Sequence, residues 1–379
     1  MVASAQIAKV GPSLPILRDE LGLSMFAGGW IASLYPGTAV VIGLLGGALA
    51  DRFGPHRAMV AALLCIAAGA ALGSVAPGYD VLLVSRVVEG VGFVLMVVSG
   101  PALTMQAAQP ADRELGLGLW TMFMPLGLTA MYILAPLLLG EGWRLVWQVN
   151  VGLALVMALC VFAATRGHAR NPAAREPERI WRDLKAMVVK PGPWLLSACF
   201  GMFAIQFASI MTWMPTFLVE VHGRTVGAAG ALTAVLAMIH APGSFLGGWM
   251  MRRRVPRWQV IGCGSAIMGV SAAVTFNTGV PLLIGLIAAA VFSLAAGTLP
   301  PSLIAGARVH APGVGQVGLF NGVLIHGANM GVLVGPPLLG AVNTAFGGWS
   351  SGGVYVLALG LAAFPLALAV RAVERRLGG

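Results

Sequence analysis

Three full charges stand inside long apolar stretches of this chain: Lys9, Arg86 and Glu89. An ionised side chain in hydrocarbon is costly, so each is a candidate for holding a solute or moving a proton. Gln6, Lys9 and Ser13 recur at i, i+3 and i+7, which places them on one face of a helix. Two hundred residues later Gln206, Ser209 and Trp213 occupy the same three positions. A pocket lined by these six residues would be positive on the Lys9 side and would favour an anion. Two blander roles compete. Lys9 would snorkel to the headgroups if its helix is short, and Gln6 and Gln206 would hold helices together. Arg86 and Glu89 lie one turn apart, either as a mutually neutralising pair or with Glu89 as a proton carrier whose pKa must shift between exposures. His240, on a stripe with Thr233 and Ala237, and His326, sharing a face with Asn329, titrate near neutral pH. They are further candidates for proton coupling or for structural hydrogen bonds. Trp120, Met124 and Met131 form a stripe that suits either a cavity wall or packing.

The elements that must position these groups follow from composition. Apolar residues make up 58% of the chain and charged ones 9%, against about a quarter charged in soluble domains. Lipid is therefore the solvent over most of the surface, and only helices or a closed barrel can pair every backbone group there. Barrel strands alternate in polarity, whereas Met59–Ala76, Leu145–Thr165 and Val354–Val370 are unbroken apolar runs. Each is close to the roughly 20 residues needed to cross a bilayer as a helix. The expectation is an all-α membrane protein with twelve spans, near 1–17, 26–50, 57–76, 80–107, 114–140, 144–165, 193–219, 226–251, 257–277, 280–306, 314–343 and 350–371.

Of the 23 Lys and Arg residues, all but Lys9, Arg18, Arg86, Arg144 and Arg224 then fall in loops on one side or at the C-terminus. That asymmetry puts both termini in the cytoplasm of a multi-pass plasma-membrane protein. It also accounts for the net charge of +10 without nucleic acid. The cysteines Cys65, Cys160, Cys199 and Cys263 all sit in apolar runs and show no disulfide or metal spacing. The region around Gln6, Lys9 and Pro12 is a poor signal-peptide core.

A shift of 200 residues superposes Gln6 on Gln206, Pro15 on Pro215, Glu20 on Glu220 and Gly118-Leu-Trp120 on Gly318-Leu-Phe320. Six spans lie within the shift, so the two halves share one orientation. The expected domains are a six-helix bundle over 1–165, a linker over 166–192 and a second bundle over 193–379. Ile180, Trp181, Leu184, Met187 and Val188 of the linker share one helical face, which suits a helix lying on the membrane surface or a solvated connector.

Between the second and third spans stands Gly47-Ala-Leu-Ala-Asp51-Arg52-Phe-Gly54-Pro-His-Arg57. It resembles the signature loop of the major facilitator superfamily, and Arg86-Val-Val-Glu89-Gly90-Val-Gly92 resembles that family's second motif. The resemblance implies two pseudo-symmetric bundles that rock to give alternating access, with substrate held where the bundles meet. It assigns Gly47, Asp51, Arg52, Gly54 and Arg57 to the inner gate. The family usually has an amide where Glu89 stands. The matching loop of the second half, Gly248 to Val255, carries Arg252, Arg253 and Arg254 and has arginine where the first half has Asp51. Val10 to Arg18, Gly118-Leu-Trp120 and Trp213-Met-Pro-Thr-Phe217 resemble the cyanate and nitroimidazole permease branch, which implies uptake of small solutes, several of them anionic.

The expected protein is thus a monomeric secondary transporter for a small anionic solute, with the proton as a candidate partner. The alternative is an efflux pump for hydrophobic compounds, although the fifth span lacks the antiporter motif of that branch. Neither an ATP-binding loop nor a hydrolase or metal constellation is present, so no cofactor and no enzymatic activity are expected.

Overall fold

The computed structural model describes residues 1–109, 112, 119–120, 122–165, 189–311 and 316–377, leaving aside the side chains of 44–53, 107, 308 and 316–318. The linker surface-helix expectation and most of the segment before Trp120 lie outside these residues.

Among the described residues the α-helices are α1 (Val2–Ala8), α2 (Val10–Leu21), α3 (Met25–Phe53), α4 (Pro55–Ser74), α5 (Tyr79–Ala107), α6 (Phe123–Leu138), α7 (Trp143–Thr165), α8 (Pro191–Glu220), α9 (Val226–Arg252), α10 (Arg257–Thr275), α11 (Leu282–Ile304), α12 (Ala307–His310), α13 (Gln316–Ala345) and α14 (Trp349–Arg376). Eleven of these are long and apolar enough to cross a membrane. Helices α1 and α2 together form the twelfth span, meeting at Lys9, whose own backbone remains helical. That span runs past the expected limit of residue 17 as far as Leu21. Its end is set by Gly22, which adopts the left-handed conformation (φ 62°) that glycine reaches without steric cost.

Packing divides the chain into two compact units, Met1–Ala174 with Arg224–Ala234 and Arg175–Gly223 with Val235–Gly379. Each has its own hydrophobic core, built as membrane bundles are, by small residues that let backbones approach. In the first unit a methyl group added at Gly69 would lie 2.6 Å from the backbone nitrogen of Glu89, and one at Gly73 would lie 2.5 Å from the Trp147 ring. Those two glycines set how closely α4 approaches α5 and α7. In the second unit Gly327, Gly331 and Gly335 of α13 press in the same way on the backbone of α8 at Ser197, Gly201 and Ile205.

The internal repeat has a physical counterpart. At the end of α2, Glu20 accepts a hydrogen bond from Trp143 Nε1 (2.9 Å) and an ion pair from Arg144 (2.5 Å). At the end of α8, Glu220 accepts one from Trp349 Nε1 (3.2 Å). In each unit the first span is clasped to the tryptophan that opens the sixth.

Candidate functional site

Four of the sequence-predicted residues of the first unit converge on one point. Lys9, at the junction of α1 and α2, Arg86 and Glu89, on α5, and Gln6, on α1, are all completely buried. Lys9 Nζ donates to Glu89 Oε1 (2.7 Å) and to Gln6 Oε1 (2.6 Å). Arg86 Nη1 donates to the other carboxylate oxygen of Glu89. Arg86 also donates through Nε to the Ile31 carbonyl (3.0 Å) and through Nη2 to the Gln6 carbonyl (2.9 Å). The carboxylate of Glu89 thus bridges two cations, with one of its oxygens on each.

Snorkelling of Lys9 to the headgroups is ruled out by its complete burial. The pairing of Arg86 with Glu89 is present, but as two sides of a triad that includes Lys9. Ser13 is buried and donates to the Lys9 carbonyl (2.7 Å), closing its own helical turn. Trp120 lies over Gly100 and packs against Phe123 (5.1 Å between centroids).

Three further residues complete the cluster and were not singled out from sequence. Gln6 Nε2 donates to Asn150 Oδ1 (3.0 Å), which α7 contributes. The Lys9 ammonium sits 4.4 Å from the centroid of Trp147, and the Arg86 guanidinium 4.8 Å from that of Tyr35. Aromatic faces attract desolvated cations in this way. An amide inside an apolar span was the available signal for Asn150. Nothing in sequence spacing distinguishes Trp147 or Tyr35 from core aromatics.

In the second unit the matching positions are polar but uncharged. Gln206 and Ser209 are completely buried. Gln206 Nε2 donates to the Met202 carbonyl (3.2 Å), while Gln206 Oε1 and Ser209 Oγ have no hydrogen-bond partner among the described residues. Trp213 is used structurally, donating to the Pro336 carbonyl (2.9 Å) and meeting Trp349 edge-on. His240, half-buried, rests its ring against Phe207 (5.0 Å) with Nδ1 unpartnered among the described residues. His326 is exposed and Asn329 half-buried on α13. Of the gate motif, Gly54 precedes α4 at φ 80°, a conformation that favours glycine, and Arg57 is exposed in the first turn. Gly47, Asp51 and Arg52 close α3, and their side chains lie outside the described set. Among the described residues no group of three or more His, Cys, Asp or Glu is placed to hold a metal.

The helical architecture that carries this buried charge triad is shared with known proteins. The description of the Major Facilitator Superfamily matches residues 1–312. The chain belongs to that superfamily. Among its superfamily relatives, the cyanate transport protein CynX of Escherichia coli (strain K12) is 28% identical over 65% of this chain and 63% of its own length. The 2-nitroimidazole transporter of the same organism is 26% identical over 94% and 89%. The hexuronate transporter of Bacillus subtilis (strain 168) is 22% identical over 96% and 90%. In fold, a bacterial homologue of the human lysosomal transporter Spinster superposes with a TM-score of 0.78 at 18% identity, covering 99% of this chain and 94% of the other. The resemblance to the cyanate and nitroimidazole branch is borne out by these relatives, and the chain is a multi-pass membrane transporter of the superfamily.

Proposed function

We propose that this transporter carries a small anionic solute together with a proton by alternating access of two bundles, 1–165 and 193–379, joined by 166–192. The observation that carries this reading is the Lys9–Glu89–Arg86 triad, in which two cations share one carboxylate in a fully buried site.

The charge arithmetic supports coupling. Unloaded, the triad holds Lys9 and Arg86 against Glu89, one excess positive charge. A proton on Glu89 removes its charge and frees both cations, and an entering anion then takes over as counter-ion. The loaded site again carries one excess positive charge. Anion and proton thus enter together, because each makes room for the other, and the reorientation steps carry the same charge with and without cargo. Gln206 Oε1, Ser209 Oγ and His240 Nδ1 offer further hydrogen-bond capacity for the solute. Trp120, Trp213 and Asn329 are assigned to the solute path, with Ser13 supporting Lys9. His326 is a secondary proton-coupling candidate, and Gly47, Asp51, Arg52, Gly54 and Arg57 form the inner gate. Relatives named for cyanate and hexuronate transport support an anionic cargo. The plasma membrane, with both termini in the cytoplasm, is the proposed setting.

The experiment is uptake of radiolabelled small anions (cyanate, nitrate and hexuronates) into proteoliposomes. An inward proton gradient should drive accumulation of the cargo anion, and an imposed membrane potential alone should not. Lys9→Ala should abolish that uptake with normal protein yield. Uptake indifferent to the proton gradient, or retained in Lys9→Ala, would remove this mechanism.

A further inference from the structure

From residue 221 to the C-terminus the chain carries one acidic residue, Glu374, and nine arginines. Most of these arginines gather at one end of the second unit. Arg252, Arg253 and Arg254 form the connection from α9 to α10, Arg257 opens α10, and Arg371, Arg375 and Arg376 lie on the last turns of α14.

Contacts bring the two groups together. Arg257 Nη1 pairs with Glu374, and Arg257 also donates to the carbonyls of Ser302 (2.9 Å) and Ala305 (3.1 Å). The Arg371 guanidinium lies 4.6 Å from the Trp258 ring centroid, and that of Arg253 lies 5.5 Å from Trp249. The carboxylate of Glu374 is therefore engaged by Arg257, which leaves Arg252, Arg253, Arg254, Arg371, Arg375 and Arg376 in excess. Arg252, Arg253, Arg254, Arg375 and Arg376 are exposed, and Trp249 is 52% exposed.

The connecting turn shows that arginine is held here against a local backbone preference. Val255 N bonds to the Met250 carbonyl (3.0 Å) and Arg254 N to that of Met251 (3.2 Å), the double bond pattern that usually ends a helix on glycine. The residue in the left-handed position is Arg254, at φ 58°, where a side chain is strained.

We propose that this face binds the phosphate headgroup of an anionic phospholipid, with Trp249 and Trp258 at the interfacial level and the arginines of the α9–α10 turn and of the α14 end closing on the phosphates. Charge complementarity and position select the occupant. Clusters of four to eight basic residues at the end of membrane spans attract anionic headgroups at about 1 kcal/mol per residue near the surface, and guanidinium forks bind phosphate oxygens in pairs. Indole rings beside them suit the boundary between headgroup and chain. The second half thus uses as a lipid anchor the loop that corresponds to the signature loop of the first half, with arginine where that loop carries Asp51.

The test uses the full chain in nanodiscs of phosphatidylcholine alone, with cardiolipin added, or with cardiolipin replaced by soluble inorganic phosphate at equal phosphate concentration. Cardiolipin should raise the unfolding midpoint by about 5 °C, as expected for a ligand that binds only the folded state, and soluble phosphate should not. Two variants, R252Q/R253Q/R254Q and R371Q/R375Q/R376Q, should each lose at least half of that shift. If the first does not fold, the second decides alone. No cardiolipin shift, a full shift in the variants, or an equal shift with soluble phosphate would overturn the proposal. An equal shift with polyglutamate in phosphatidylcholine would assign the face to an acidic protein and would also overturn it. None of these outcomes depends on which solute is carried.

Discussion

Glu89 and Lys9 share a hydrogen bond, yet their removal has opposite electrostatic consequences. Without Lys9 the remaining pair, Arg86 and Glu89, is neutral and still hydrogen-bonded. Without the Glu89 charge, two buried cations face each other with no counter-ion. Glu89→Gln should therefore destabilise the protein by about 3 kcal/mol or more, and Lys9→Ala by clearly less. Thermal unfolding of both variants in one detergent checks the order, and the reverse order would mean that the triad does not hold its charges as described. Each member was visible in sequence because a charge in an apolar run stands out. Their meeting was not visible, since helical spacing relates residues within a span and is silent about which spans face each other. Asn150 closes the hydrogen-bond chain from the sixth span, α7. Trp147 and Tyr35 are missed because an aromatic face that receives a cation has the same sequence signature as one that packs against leucine.

Between residue and fold stand the helices, and here close approach decides the architecture. A methyl group at Gly73 would lie 2.5 Å from the Trp147 ring and 2.9 Å from Ser85 Oγ. Gly73→Ala must push α7 away and lift the aromatic face from Lys9. Overpacking of this kind costs about 1–3 kcal/mol. We expect a lower unfolding temperature together with impaired uptake, measured on the same preparation. Ala at Gly78, where nothing lies within 4 Å of the added carbon, should change neither. Helix positions were largely legible from sequence, because hydrophobic length is set by the bilayer and loops by charge. The end of α2 was not. Arg18, Asp19 and Glu20 read as a loop by polarity, but Glu20 is held by Trp143 and Arg144 and the helix continues beneath it.

For the molecule as a whole, the basic end of the second unit carries a prediction about acid. His310 is 3% exposed, with its ring parallel to Phe320 and Nε2 3.3 Å from Glu374. Burial first, and then the charges of Arg257 and Lys190, push its pKa down to about 4. In the unfolded chain it returns to about 6.5. Between those values the unfolded state holds the extra proton, so this contribution to stability is complete above about pH 6.5 and is lost as pH falls toward 4. The unfolding midpoint should decline across that window, and His310→Gln should flatten the decline; an unchanged slope would show that His310 does not carry it. The doubled architecture was plain from the 200-residue repeat. The division of labour was only half legible: sequence showed charge in the first half and amides in the second, but packing was needed to show that the first set is saturated while Gln206 and Ser209 retain unpartnered oxygens.

The paired clasps at the ends of α2 and α8 have an experimental use. Trp143 and Trp349 each point an indole N–H at a carboxylate, so their emission is sensitive to whether that bond is made. Replacing the other tryptophans with phenylalanine, and keeping one clasp indole at a time, would give each half its own optical reporter. Loosening of the first span from the sixth could then be timed separately in the two halves of a working carrier, with no dye attached.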